Sequence, residues 1–233
     1  MKTIGLLGGM SWESTLAYYR AINEGVKQAL GGLHSAKIVL HSVDFAPIEA
    51  MQQQGDWDGT ARILCEAAVG VQAAGADFLL LCTNTMHKVM PQVEAAIDIP
   101  ILHIADATAE VLLGEAIDTV GLLGTAFTME QDFYTGRLIE RHGLQVLLPG
   151  VSDRKLVHQV IFNELCLGET NPDSKSEYLR IIDKLADRGA QAVILGCTEI
   201  AMLVGQQDTP VKLLDTTAIH AREAVLLALA EPR

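Results

Sequence analysis

Two stretches of the chain hold the residues best suited to chemistry, and they are one motif written twice. The first runs Gly75-Ala76-Asp77-Phe78-Leu79-Leu80-Leu81-Cys82-Thr83-Asn84-Thr85, the second Gly189-Ala190-Gln191-Ala192-Val193-Ile194-Leu195-Gly196-Cys197-Thr198-Glu199. Gly75 and Gly189 stand 114 residues apart, and the same offset pairs Cys197 with Thr83 rather than with Cys82. A thiolate can take a proton from carbon or attack an electrophilic centre. A threonine hydroxyl is a far weaker acid and needs a partner to act as a base. A site built twice, with the thiol in one copy, implies acid–base chemistry with unequal sides.

The remaining cysteines are read as structural. Cys65 lies on the apolar face of a helix and Cys166 at the end of another, and a buried free cysteine commonly acts as a small hydrophobe. Cys82 sits beside Asn84-Thr85, but side chains alternate along a strand, so Cys82 and Thr83 cannot both face a site while the chain is extended. Cys197 follows Gly196 at a strand end, where a succeeding helix N-terminus is expected to lower its pKa. It is the best base or nucleophile in the chain.

Four segments, Gly8–Thr15, Thr83–His87, Thr125–Thr128 and Cys197–Glu199, are rich in small hydroxyl or amide residues and precede helices. Helix capping alone explains any one of them. Four at equivalent strand ends point instead to a small carboxylate, held by backbone N–H groups with Thr and Asn side chains. Gly8-Gly9 opens no Gly-x-Gly-x-x-Gly and no Gly-Lys-Ser/Thr is present, which argues against a nucleotide. The seven histidines are scattered and no metal-ligand spacing is visible. His87, just after the first motif, is read as orienting it or as packing or capping.

Those segments need strands and helices to place them. Strands are expected at Lys2–Leu7, Ala36–His41, Asp77–Leu81, Pro100–Ile104, Thr119–Leu123, Gln145–Leu148, Ala192–Leu195 and Val211–Leu214. Helices are expected at Ser11–Leu30, Asp58–Ala74, Met86–Ile97, Ala107–Gly114, Met129–His142, Arg154–Leu167, Ser174–Arg188 and Thr217–Leu229. Thr3-Ile4-Gly5-Leu6-Leu7-Gly8 recurs as Thr119-Val120-Gly121-Leu122-Leu123-Gly124, and Pro100–Asp106 is echoed at Pro210–Asp215. A repeat this long is no solenoid. The fold class is α/β: two similar, pseudo-symmetric lobes, each a largely parallel sheet flanked by helices, with the active site between them. The division expected is 1–98 plus 211–233 for one lobe and 99–210 for the other.

Composition narrows the partners. A net charge of −12 argues against nucleic acid, and no apolar run is long enough for a membrane span or a secretory signal. Four cysteines without paired spacing fit a reducing cytoplasm.

Thr83-Asn84-Thr85 and Gly196-Cys197-Thr198-Glu199, joined to Ile4-Gly5-Leu6-Leu7-Gly8-Gly9-Met10, resemble the cofactor-independent aspartate/glutamate racemase family along the whole chain. The Glu after Cys197-Thr198 resembles the aspartate racemase branch, where cell-wall glutamate racemases usually have His. In that family two cysteines flank the α-carbon of an amino acid; one thiolate removes the proton and the opposite thiol returns one. The resemblance implies no cofactor, a dicarboxylic amino acid as substrate and a homodimer. Asn84, Thr85 and Thr198 would hold its carboxylate and ammonium, with Thr125 and Thr128 assisting. Met10 and Ser11 would line the site, and Gln52 would reach the side-chain carboxylate. Two departures stand out: Thr83 replaces the first cysteine, and the segment His41–Ile48 lacks the Arg that some aspartate racemases carry. The first implies that Cys197 acts on the L-isomer and that the D-isomer is a poor substrate. The alternatives are a one-cysteine decarboxylase or isomerase of a small dicarboxylate, similar to arylmalonate decarboxylase, and a two-lobed small-molecule sensor.

Overall fold

The structure, a computed structural model, describes residues 1–230. It divides into two compact units, Met1–Ile104 with the segment from His220 onward, and Ala105–Ile219. Each contains one parallel sheet with helices against it, the α/β architecture the strand pattern implied.

In the first unit the sheet order is β2-β1-β3, from Ile38–Ser42, Ile4–Gly8 and Phe78–Leu81. The strands are short and apolar because both faces are covered. On β3 the alternation is explicit. Phe78 and Leu80, followed by Cys82, lie in a core with Ile4, Leu6, Tyr18, Ile22 and Val26, whereas Leu79 and Leu81 lie in a second core with Leu7, Leu64 and Val71. The first core belongs to helices α1 (Trp12–Leu30) and α11 (Thr216–Leu229), the second to α2 (Phe45–Gln54), α3 (Trp57–Ala73) and α4 (Met90–Ala96). Each fully buried Leu or Ile contributes roughly 1.5–3 kcal/mol relative to exposure, so the two faces together hold the sheet.

The second unit orders its strands β5-β4-β6-β7, from Gln145–Leu147, Thr119–Gly124, Ala192–Gly196 and Lys212–Asp215. Helices α8 (Val151–Asn163) and α9 (Pro172–Asp187) bury Val157, Ile161, Tyr178, Ile181 and Leu185. The register pairs Gly124 with Gly196 at the carboxyl end of the central strands. A Cβ on Gly196 would stand 2.9 Å from the Leu123 carbonyl oxygen and 2.7 Å from Leu122 Cδ1, so only glycine fits immediately before Cys197.

Several elements differ from the sequence expectation. The segment Pro100–Ile104 forms a single parallel bridge, Ile101 with Leu79, because helix α5 (Ile104–Gly114) starts directly after it. The helix expected over Met129–His142 is three pieces, α6 (Ala126–Glu130), α7 (Asp132–Gly136) and a π-turn over Arg137–Arg141, with extended backbone at Gln131 between the first two. Met86–Ile97 begins as a 3-10 turn at Thr85–Val89, and α10 (Ile200–Leu203) is new. So is α2, capped by Asp44 through its side chain; it turns the second half of the His41–Ile48 segment, Phe45 onward, into the first turn of a helix. Strand β7, placed by sequence with the first lobe, pairs with β6 in the second sheet.

Candidate active site

In the first unit, β1 ends at Gly8 and the chain turns at Gly9, where φ is +95° and a Cβ would meet the Val43 carbonyl oxygen at 2.2 Å. That turn brings the Gly9 N–H to Thr15 Oγ1 at 2.8 Å, and Thr15 Oγ1 in turn donates to the Ser11 carbonyl at 2.8 Å. Ser11 caps α1, accepting from the Ser14 N–H at 3.4 Å. Ser14 Oγ lies 3.4 Å from the Cys82 carbonyl, so the first turn of α1 rests against the loop after β3. Met10 is buried in one core with Ile48 and Met86, and Gln52 Nε2 donates to Met86 Sδ at 3.8 Å. Met10, Ser11, Gln52, Thr83, Asn84 and Thr85 are all buried or nearly so.

Cys82 is fully buried, and burial pushes its thiol pKa far up. Thr83, one residue on, retains slight exposure. Its carbonyl accepts from His87 Nδ1 at 2.9 Å, which leaves Nε2 of that ring to accept the Ile104 N–H at 3.4 Å. Three of the seven histidines that look scattered in sequence are gathered here. The His87 ring centroid is 4.4 Å from that of His103 and 6.4 Å from that of His220. His220 Nε2 donates to the Leu102 carbonyl at 2.9 Å, so its Nδ1 accepts from the Tyr18 hydroxyl at 2.8 Å. Burial lowers the pKa of His87 and His220, and the neighbouring histidines lower His87 further. Both rings are therefore neutral at physiological pH, and His87 positions the Thr83 backbone. Among the described residues no group of three His, Cys, Asp or Glu side chains is arranged to hold a metal ion.

In the second unit, β4 leads to Thr125, which caps α6 by accepting from the Thr128 N–H at 3.2 Å; the two hydroxyls also lie 3.2 Å apart. Thr128 packs behind the strand ends, since a Cβ on Gly196 would stand 3.5 Å from its Cγ2. After Gly196 come three polar atoms that converge. Cys197 Sγ donates to Glu199 Oε2 at 3.0 Å, and Thr198 Oγ1 donates to the same oxygen at 2.7 Å. All three residues are buried. The expected lowering of the thiol pKa by a helix N-terminus is not what the site produces. Burial, and then the charge of Glu199, raise it well above the ordinary value, and α10, the helix that follows, is only four residues long.

Glu199 belongs to the second motif, yet its type and position in sequence assign it no role in the site. The signal available was the spacing Cys-Thr-Glu after a strand, which a tight turn can fold so that the carboxylate reaches back to the sulfur. Tyr18, His103 and His220 carried no such signal, because only the tertiary fold brings them to His87.

A buried thiol at a strand end, with Thr83, Asn84 and Thr85 after β3 and Thr125, Thr128 and Thr198 after β4 and β6, is the residue set on which the racemase resemblance rests. A family model for Asp/Glu/Hydantoin racemases matches residues 7–224, and the chain belongs to that family. A Yersinia pestis crystal structure, described as that of a proposed Asp/Glu racemase, is 54% identical, covers 99% of this chain and 100% of its own, and superposes with a TM-score of 0.92. An aspartate racemase homologue from Pyrococcus horikoshii is 34% identical, with coverage of 99% and 100% and a TM-score of 0.84. The broad specificity amino-acid racemase RacX of Bacillus subtilis is 22% identical over 231 residues, 97% of this chain and 98% of RacX.

Proposed function

We propose that the chain is a cofactor-independent racemase of aspartate or glutamate in which Cys197 and Thr83 act as unequal partners on opposite faces of the α-carbon. The observation that carries the reading is the difference between the motif copies: a buried thiol bonded to a carboxylate at Cys197, and a hydroxyl at Thr83. In the L-to-D direction the Cys197 thiolate removes the α-proton. The planar carbanion is held through its carboxylate by loop N–H groups and by Asn84, Thr85 and Thr198. The Thr83 hydroxyl delivers a proton to the other face, directly or through water, and regains one from solvent. In the D-to-L direction Thr83 would have to act as the base. The hydrogen bond the structure gives Thr83 runs through its carbonyl to His87, and no carboxylate or imidazole accepts from its hydroxyl among the described residues.

Thermodynamics fixes how this asymmetry is expressed. L- and D-isomers have equal free energy, so kcat/KM for inversion must be the same in both directions. The inequality belongs to hydrogen exchange. Cys197 can remove and return a proton on its own face, so the L-isomer exchanges faster than it inverts, and the D-isomer exchanges slowly. The test is incubation in heavy water with each isomer of aspartate and glutamate, following α-deuteration and configuration separately. Exchange confined largely to the L-isomer and lost in Cys197→Ala supports the reading. Equal exchange of the two isomers sinks the asymmetry, and no exchange with any of the four sinks the racemase reading.

A further inference from the structure

Cys197 presents a chemical difficulty. A thiol buried against a carboxylate does not readily ionise to solvent, because release of its proton leaves two negative charges facing each other in a dry site. Yet a base that removes a carbon-bound proton must be a thiolate. Resting on the reading of Cys197 as that base, we propose that Glu199 is a second catalytic group, which takes the thiol proton and holds it while the sulfur carries the α-proton of the substrate.

The geometry allows the transfer without rearrangement. Cys197 Sγ already donates to Glu199 Oε2 at 3.0 Å. When the proton crosses, the S–H bond breaks and an O–H bond forms on Oε2, which then donates back to the thiolate. Thr198 Oγ1 still donates to the same oxygen, at 2.7 Å in the resting arrangement, and stabilises the charge that Glu199 carries before the transfer. Across this transfer the pair holds one proton, so no net charge is created. Abstraction of the α-proton then gives a thiol beside a carboxylic acid, two protons on the pair, and the negative charge resides on the substrate carbanion. Return of a proton from Sγ to the same face, followed by recrossing of the Oε2 proton to sulfur, restores the starting pair; where Thr83 supplies the proton instead, the pair gives its second proton to solvent as Thr83 regains one.

The direction of the thiol shift fits: burial is its largest cause and Glu199 the next. The other titratable groups coupled to this thiol are Cys166 and Tyr178. Tyr178 is held neutral by burial and spends its proton on the Val157 carbonyl at 3.0 Å, so it does not compete with Glu199 for the role. The 114-residue offset that pairs Cys197 with Thr83 pairs Glu199 with Thr85, so the thiol–carboxylate pair is a feature of the second copy alone.

The test is alkylation of Cys197 by iodoacetamide in the native chain between about pH 5.5 and 8, quantified on the Cys197 peptide by mass spectrometry. A lone thiol below its pKa reacts about tenfold faster per pH unit. A thiol that shares one proton with a carboxylate reacts at a rate nearly independent of pH across that range. The expected result is a flat profile in the native chain and a rise of about tenfold per unit in Glu199→Gln, which keeps the hydrogen bond but cannot accept the proton. A steep native profile, or a flat one in both proteins, overturns the proposal. Should Glu199→Gln fail to fold, the native slope decides alone. Because alkylation needs no substrate, its outcome is separate from that of the deuterium exchange test. Where both hold, the acid limb of L-isomer exchange moves to higher pH in Glu199→Gln.

Discussion

His220 offers a quantitative check on the buried histidine cluster that positions Thr83. The ring is fully buried, bonded on one side to the Leu102 carbonyl and on the other to the Tyr18 hydroxyl. Burial takes its pKa from 6.5 down to about 4. The native chain thus keeps the ring neutral at pH values where the unfolded chain protonates it. Its contribution to stability is complete above about pH 6.5 and is lost as the pH falls toward 4. Within that window one proton is taken up on unfolding, which gives a slope of about 1.4 kcal/mol per pH unit and a total of about 3 kcal/mol. His220→Gln removes the titration while keeping an amide near both partners. Urea unfolding followed by circular dichroism at several pH values between 4.5 and 7 measures the effect. The variant is expected to be less stable than the native chain at pH 7, and the gap is expected to shrink by about 2–3 kcal/mol on acidification to pH 4.5. A gap that stays constant with pH refutes the assignment of a neutral, low-pKa ring. His87, also lowered, keeps a second such slope in both proteins, so acid should loosen the Thr83 loop along with the fold.

Two further outcomes follow from the site. Thr83→Cys places a thiol on the weak face and should raise α-deuteration of the D-isomer by about tenfold or more, within the usual worth of a general base. With Thr85 where the second copy has Glu199, that new thiol lacks a carboxylate acceptor, so its D-isomer exchange should climb about tenfold per pH unit below its pKa; a pH-independent gain contradicts the account. Cys82→Ala should leave L-isomer exchange unchanged and lower stability by about 1 kcal/mol in urea titration, because Cys82 is a core side chain. Loss of exchange at unchanged stability contradicts its placement there.

The large features of the fold are legible because parallel sheets have a strong local signature. Phe78-Leu79-Leu80-Leu81 is apolar at every position, which only a doubly covered strand requires, and the parity that separates Cys82 from Thr83 needs nothing but the alternation of side chains. What escaped depends on contacts that periodicity does not encode. The helix expected over Met129–His142 keeps its apolar spacing across a break at Gln131, where the backbone turns extended. The His41–Ile48 segment has the polar look of a loop, yet the Asp44 side chain caps a helix there. The histidine cluster draws His87, His103 and His220 from three distant stretches, so no local pattern announces it.

The electrostatics of Cys197 were the least legible, and they reverse the simplest inference from sequence. A thiol at a strand end before a helix is expected to ionise easily, but that expectation assumes a helix long enough to present a dipole and a neighbourhood free of negative charge. Here the helix is one turn, and the turn that starts it aims Glu199 at the sulfur. Repulsion from a carboxylate makes a poor case for a stable thiolate. It makes a good case for a thiol that passes its proton 3.0 Å to that carboxylate when a substrate proton must be taken. At the positions that carry the thiol and its carboxylate the two copies therefore differ by a pair of residues: Thr83 and Thr85 against Cys197 and Glu199. The face that lacks the thiol also lacks the carboxylate, so Thr83→Cys alone should give D-isomer exchange that climbs steeply with pH, and adding Thr85→Glu should flatten that dependence.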